Sequence, residues 1–385
     1  MQEAKLNLGK VVRIARKRKR ITQDYKHTFT AWTDELAAEQ WKSNEKTASN
    51  SLPRDSSASY YLTENVELEA EDSYSPWSGG GITLCLNGHS IRMKGNKSVI
   101  SVSSGTFTLV DCKGGKQDAK YGEITHVSGS EGHGVELTGG TFNMYGGNIT
   151  KNDAGNNGGG VYMTGSCNFN LYGGQITGNS TTYCGGGVYS DYQSSSKCTI
   201  NMYDGEISGN NGTRGGGGVF IGSASTFAMS GGKISGNTDG GGTSSNGGGV
   251  CVAGAMTVSD DVEITGNTKG SDSAASNVYL RGRSKTITIG ADGLANAEIG
   301  VTKTFTAKET VYVATGADKD MDYTGIIVSD DSDYKVAHDS TDGTKLVLVS
   351  NTPAPAEEHK HCICGETHTD VGDHTSVGRG VGAFP

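Results

Sequence analysis

Between residues 135 and 280, apolar side chains fall on alternate positions for three to five residues, stop at glycine or a small polar residue, and begin again. Phe169 and Leu171, Ile200 and Met202, and Phe227 and Met229 are each separated by one small or polar residue, as are Val161 and Met163, or Val219 and Ile221. A period of two belongs to strands, whose successive side chains face opposite sides; an amphipathic helix needs 3.6. No stretch between these runs is long or periodic enough for a crossover helix. The pattern predicts short strands bounded by Gly, Ser and Asn turns.

The strands recur in sets. "NNGGGVYMTGSCNFNLYGGQITGN" (156–179) returns as "GGGVYSDYQSSSKCTINMYDGEISGN" (185–210) and as "GGGGVFIGSASTFAMSGGKISGN" (215–237). Aligned on the valine after the glycines, Val135, Val161, Val188, Val219, Val250 and Val278 are spaced by 26, 27, 31, 31 and 28 residues. The closing asparagines Asn152, Asn179, Asn210, Asn237 and Asn267 are spaced by 27, 31, 27 and 30. Propeller blades run to ~40 residues with four strands each, so these units are too short. Three short strands without a helix describe one coil of a parallel β-solenoid, right-handed because strand twist and connection handedness both favour it. The asparagines then stack as a ladder whose amides hydrogen-bond from coil to coil.

Less regular coils extend the pattern through 81–91, 99–112 and "YGEITHVSG" before it, and through 285–301 and "ETVYVATG" after it. The expected fold is all-β: a single-stranded right-handed parallel β-helix of about ten coils over 81–349, a rod roughly 45–50 Å long at ~4.8 Å per coil. Residues 28–80 hold the first strands and a cap, with "DELAAEQW" (34–41) read as its short helix. Residues 333–349 read as a hairpin turning at Asp342-Gly343. "NTPAPAEE" (351–358) reads as a linker within 350–385, which ends in a Cys/His-rich tail.

Composition sharpens the picture. Sixty glycines and five prolines among 385 residues suit many tight turns. The net charge of −9 hides an asymmetry, because residues 1–27 carry nine Lys/Arg against Glu3 and Asp24. The remainder holds 24 basic and 40 acidic residues, so the main body is unsuited to nucleic acid. The basic arm reads as solvated, with an anionic surface or nucleic acid as its alternative partner. It runs into polar sequence where a secretory leader would be apolar. No run approaches the ~20 apolar residues of a membrane span.

"YYLTENVELEA" followed by "ITLCLNGHSI", then "FNMYGGNIT", "GGGVYM" and "GGQITGN", resembles the adhesin-like, right-handed β-helix surface proteins of gut Firmicutes, and more loosely the polymorphic surface proteins of chlamydiae. The likeness covers about residues 27–375. It implies an exported or wall-associated, non-enzymatic module that binds a glycan or host ligand or serves as a stalk. In such proteins a "CICGETHTDVGDHT"-like segment leads into an "FTAW"-like start; here these stand at 362–375 and 29–32, so the chain is expected to be one module of a longer array.

Candidate chemistry follows from the coil register. Outward positions give one aromatic column of Tyr162, Tyr189 and Phe220, continued by Tyr279, and a second of Tyr145, Tyr172 and Tyr203. They serve either as a platform for sugar rings or as rings that brace one another. Gly132-His133-Gly134 and Asp260-Asp261 are similar to polygalacturonase motifs, and a pectin-lyase-like polysaccharide lyase or glycoside hydrolase is the alternative function. They lie about four coils apart, or roughly 19 Å, whereas paired glycosidase carboxyls sit ~5–10 Å apart. Cys167 and Cys198 are expected as inward-facing neighbours, as thiols or as a disulfide. His361, Cys362, Cys364, His368 and His374 are candidate ligands of a structural Zn²⁺. Asp204, Asp239, Asp272 and Asp292 are scattered singly, so nothing prompts Ca²⁺ although the residue type would allow it.

Overall fold

A computed structural model describes residues 30–33, 36, 52–53, 58–70, 74, 81–112, 120–193, 197–241, 247–270, 273–294, 296–303, 310–351, 358–359 and 368–369. The described elements are all strands, and they form a parallel β-solenoid of about nine turns. This is close to the ten expected. The last strands leave the coil path: Tyr334–His338 and Lys345–Ser350 pair antiparallel, and Val311–Thr315 joins them antiparallel as well. The hairpin thus pairs the outer edge of Val311–Thr315, which would otherwise offer unpaired N–H and C=O groups. Hydrogen bonds from the Thr341 hydroxyl and amide hold the Asp339 carboxyl in its turn down at about 2.

Each coil contributes a valine strand, a phenylalanine strand and an isoleucine strand. Their register aligns like with like. Val135, Val161, Val188, Val219, Val250 and Val278 are successive partners, with Ile100 below and Val301 above. A second column runs Ile82, Phe107, Phe142, Phe169, Ile200, Phe227, Met256 and Ile287. The third runs Ile91, Ile124, Ile149, Ile176, Ile207, Ile234, Ile264, Ile299 and Ile327. All three columns are buried. Phe107, Phe142 and Phe169 stack face to face, with centroids 5.8 and 5.2 Å apart. A small second sheet of two-residue strands, from Asp153–Ala154 to Ala274–Ala275, runs alongside the turn after each isoleucine strand.

The asparagine ladder is present and longer than the sequence suggested. In each of the five residues from Asn152 to Asn267, Oδ1 accepts a hydrogen bond from the coil before it, and Nδ2 donates to the Oδ1 of the coil after it, at 2.9–3.0 Å. Nδ2 donates a second time, to the carbonyl of Ile124, Ile149, Ile176, Ile207 or Ile234 one coil below. His126 Nδ1 donates to Asn152 Oδ1 and closes the lower end. Asn277 extends the upper end, where Asp330 accepts from its backbone N–H and its Nδ2.

The glycine triplet has two physical reasons. Its first member takes a positive φ, at Gly158 (72°), Gly185 (70°), Gly216 (62°) and Gly247 (85°). Its third member leaves no room for a side chain: a Cβ on Gly160 would stand 2.5 Å from the Gly187 carbonyl oxygen and 3.1 Å from Asn179 Nδ2. Ladder and triplet therefore specify each other.

At the lower end, Thr30–Trp32 pairs in parallel with Ser59–Leu62, and Trp32 packs edge-on against Tyr60. Leu36 packs against the core, while the rest of the expected 34–41 helix lies outside the described residues. A disulfide joins Cys85 to Cys112 across adjacent coils, with Cα atoms 6.2 Å apart. Near the upper end the buried Lys303 ammonium donates to the carbonyls of Arg283, Lys285 and Tyr312, and burial lowers its pKa.

Asn210→Ala is expected to cost about 3 kcal/mol, because the buried Asn179 backbone N–H and Nδ2 both lose Asn210 Oδ1, the Ile176 carbonyl loses the amide, and Asn237 Oδ1 keeps only the Asn210 backbone N–H. Asn210→Asp tests the same point by titration. Its carboxylate would face the Ile176 carbonyl and Asn237 Oδ1, which raises its folded pKa, so stability is highest below about pH 4 and falls as pH rises toward neutrality. Denaturant unfolding at several pH values measures this; a pH-independent variant as stable as wild type would mean that the ladder contributes little.

Candidate functional site

The second aromatic column lies at the corner between the phenylalanine and isoleucine strands. Alternation turns Phe142 and Met144 inward, so Asn143 points outward and Tyr145 follows at the turn. The next two coils repeat this as Asn170 with Tyr172 and Asn201 with Tyr203. All three tyrosines are half-buried. Tyr145 and Tyr172 stack at 4.3 Å and 12°, and Tyr172 and Tyr203 at 4.8 Å and 6°. Ring faces inside the stack are therefore covered by one another, and the column presents ring edges and phenol groups. Burial, and then the Tyr145 and Tyr203 phenols on either side, push the Tyr172 hydroxyl up to about 12. Beside it runs a ladder of side-chain amides: Asn170 Nδ2 donates to Asn143 Oδ1, and Asn201 Nδ2 to Asn170 Oδ1, both at 2.8 Å. "FNMY", "FNLY" and "INMY" carried that second ladder in plain view, although only the tyrosines were singled out.

The first aromatic column requires a correction. Tyr162 is half-buried, but Tyr189 and Phe220 are only 6% and 2% exposed and form a small apolar cluster of their own with Cys251 and Ala253. The polar loops of neighbouring coils fold over this column; Tyr192, for one, lies 6.3 Å from Phe220. These residues point away from the main core, as alternation requires, without reaching solvent. Tyr162 stacks on Tyr189 at 5.6 Å and Tyr189 on Phe220 at 5.3 Å. Cys251 occupies the next step, between Phe220 and Tyr279, so the ring column ends there.

Below Tyr162 the column is completed by His133, which stacks on it at 4.6 Å and 11°. Its Nδ1–H donates to the Gly158 carbonyl at 2.7 Å, and burial lowers its pKa. His133 stands where later coils carry the middle glycine. In those coils a Cβ would strike the second sheet, as Gly159 would strike the Ser180 carbonyl at 2.4 Å. The turn before His133 takes a different path: Gly132 N–H donates to the Asp153 carbonyl, whereas the equivalent Gly158 N–H donates to Cys184, four residues further along the next coil. A side chain fits as a result. Asp153–Ala154 is also the edge strand of the second sheet, and beneath that edge opens a cleft of about 530 Å³ lined by Asn96, Ser101, Glu131, His133, Glu136 and Asn156 among others.

Asp260 and Asp261 lie four coils above His133, at a register shift in the phenylalanine-to-isoleucine corner, and Asp261 accepts from Asn296. The structure does not bring the two polygalacturonase-like motifs together. Cys167 and Cys198 are neighbours as expected, both buried thiols with Sγ atoms 3.6 Å apart, and their hydrogen bond, followed by burial, raises the Cys167 thiol. Among the described residues no group of three His, Cys, Asp or Glu side chains is placed to hold a metal ion. Asp204 and Asp292 are exposed, Asp239 is buried, and Asp272 lies outside the described residues. In the tail, Glu358–His359 pairs antiparallel with His368–Thr369. The side chain of His368, together with His361, Cys362, Cys364 and His374, lies outside the described residues. No helix among the described residues is long and apolar enough to cross a membrane.

The chain matches no protein-family model, and no characterised protein or solved structure is significantly similar to it.

The two aromatic columns should respond differently to truncation. Tyr172→Ala removes two half-buried stacking contacts and is expected to cost about 1–3 kcal/mol, whereas Phe220→Ala empties a buried site and should cost about 3–5 kcal/mol. Equal, small losses in chemical unfolding would mean that the first column is solvent-facing.

Proposed function

We propose that this chain is a non-enzymatic, extracellular β-solenoid module of adhesin-like character, which acts as a stalk and holds a glycan or host ligand along its lateral face. One observation carries this reading: a half-exposed strip in which phenols of Tyr145, Tyr172 and Tyr203 and amides of Asn143, Asn170 and Asn201 repeat once per coil. Groups that repeat at ~4.8 Å suit an extended polymer, which meets the same donors and acceptors at each step. An aromatic edge beside amides supplies apolar contact and hydroxyl recognition together. The sequence likeness to adhesin-like Firmicutes proteins points the same way. The Cys85–Cys112 disulfide supports an oxidising, exported setting.

The alternative is a polysaccharide-cleaving enzyme. It is favoured by the cleft beside His133, where Glu131 and Glu136 share one opening, carboxylates being the usual acid and base of glycoside hydrolysis.

Purified protein incubated with mucin, xylan and pectin, scored in the same tubes for retention and for new chain ends, separates the two. Retention without new ends, reduced at least fivefold by Tyr172→Ala in a folded variant, is the expected result. New reducing or unsaturated ends would transfer the function to the enzyme reading, and retention unaffected by Tyr172→Ala would remove the strip from it.

A further inference from the structure

The first aromatic column has an open end. Phe220, Tyr189, Tyr162 and His133 descend as one face-to-face stack, and at the next step down the backbone register brings Ser98 beneath His133. Serine is too small to continue the stack. It turns aside instead: the Ser98 hydroxyl donates to Glu136 Oε2 at 2.8 Å, and Ser101 donates to the same oxygen at 3.4 Å. Below Tyr162 the stack thus ends on the lower face of His133, and His133, Ser98 and Glu136 all line the cleft.

The lining has a definite chemistry. Glu136 is held in place by neutral hydroxyls. Glu131 is fixed at the rim, its backbone N–H donating to Asn96 Oδ1 at 2.9 Å. The Nδ1 proton of His133 is committed to Gly158, which leaves Nε2 of the neutral imidazole as an acceptor. Asn96 and Asn156 add side-chain amides. A flat ring face with carboxylate acceptors and amide groups around it is complementary to a pyranose, whose C–H face is apolar and whose rim carries hydroxyls that both donate and accept. The volume lies in the range of small-ligand pockets. Glu131 and Glu136 outnumber Lys97, the one cation of the lining, and that balance disfavours a sugar that carries its own carboxylate.

We propose that this cleft is a saccharide subsite, in which a neutral pyranose stacks on His133 and donates hydroxyl hydrogen bonds to Glu136 and Glu131. The site rests on the glycan-binding reading above and adds to it a discrete pocket, one that selects neutral over acidic sugars. It exists because the second sheet begins only at Asp153–Ala154, four coil-to-coil pairings above the Thr30–Trp32 start of the first, which leaves the Asp153–Ala154 edge as its roof.

The test uses the full chain and short saccharides: chitobiose, xylobiose, N-acetyllactosamine and digalacturonate, titrated by calorimetry with saturation-transfer NMR on the sugar protons. At least one neutral disaccharide should bind, and digalacturonate at least tenfold more weakly. Glu136→Gln keeps the acceptor for Ser98 and Ser101 and should weaken neutral-sugar binding at least fivefold. His133→Ala should weaken it at least tenfold, with His133→Phe recovering part of the loss through stacking alone. Tyr172→Ala, outside the cleft, should leave disaccharide affinity within twofold while polymer retention falls. If polymer is retained but no disaccharide binds, or binding is indifferent to His133→Ala and Glu136→Gln, the subsite is wrong and the lateral-strip reading survives. If neither polymer nor disaccharide is held, both fall together.

Discussion

Parallel in-register pairing from one coil to the next is the constraint on which everything else in this protein depends. Once the backbone N–H and C=O groups of each coil bond to the coils on either side, every side chain stands ~4.8 Å above its equivalent and must be compatible with a copy of itself. Phenylalanines satisfy this by stacking, as Phe107, Phe142 and Phe169 do. Asparagine satisfies it in a different way, because its amide carries a donor and an acceptor at one end and can pass a hydrogen bond along a column. That is why Asn152 through Asn267 can be buried at all. A charged residue at those positions would face its like one coil away.

The same constraint produces the outer surface. Tyr145, Tyr172 and Tyr203 lie against one another for the reason the phenylalanines do, and the amides of Asn143, Asn170 and Asn201 form a second ladder beside them. Stacking uses up the ring faces inside the column, so recognition there falls to edges, hydroxyls and amides. Where the repeat is interrupted, local chemistry becomes distinctive. His133 replaces a glycine at the point where the second sheet begins, and the cleft it lines owes its shape to that interruption. At the other end Asp330 and the Val311–Ser350 hairpin terminate the ladder and the sheet together.

The repeat made most of this fold legible in advance. The spacing of the valines and asparagines supplied the coil, the alternation within each coil supplied the inward and outward faces, and the pairing of Cys167 with Cys198 followed from counting back from Phe169 and Ile200. The same counting placed Tyr189 and Phe220 outside the core, which is correct, but left open whether they form a platform or brace one another; the structure buries them. Alternation reports which side of a sheet a residue occupies; whether a loop then covers that side depends on contacts between coils. His126, Asn277 and Asp330 were invisible for a related reason, since each acts as a ladder terminus outside the evenly spaced column of closing asparagines. Nor did an even cysteine count distinguish the Cys85–Cys112 pair from the rest.

What this sequence determined by itself is the solenoid, because a period of two within a period of 26 to 31 leaves few other ways to bury the apolar positions and satisfy the glycines. The tertiary structure alone decided where the surface is open. The number of turns, the cover over Tyr189 and Phe220 and the cleft beneath Asp153–Ala154 all follow from where strands stop and loops fold back. Those features are set by packing between residues one or more coils apart in sequence, and a local pattern carries no record of it.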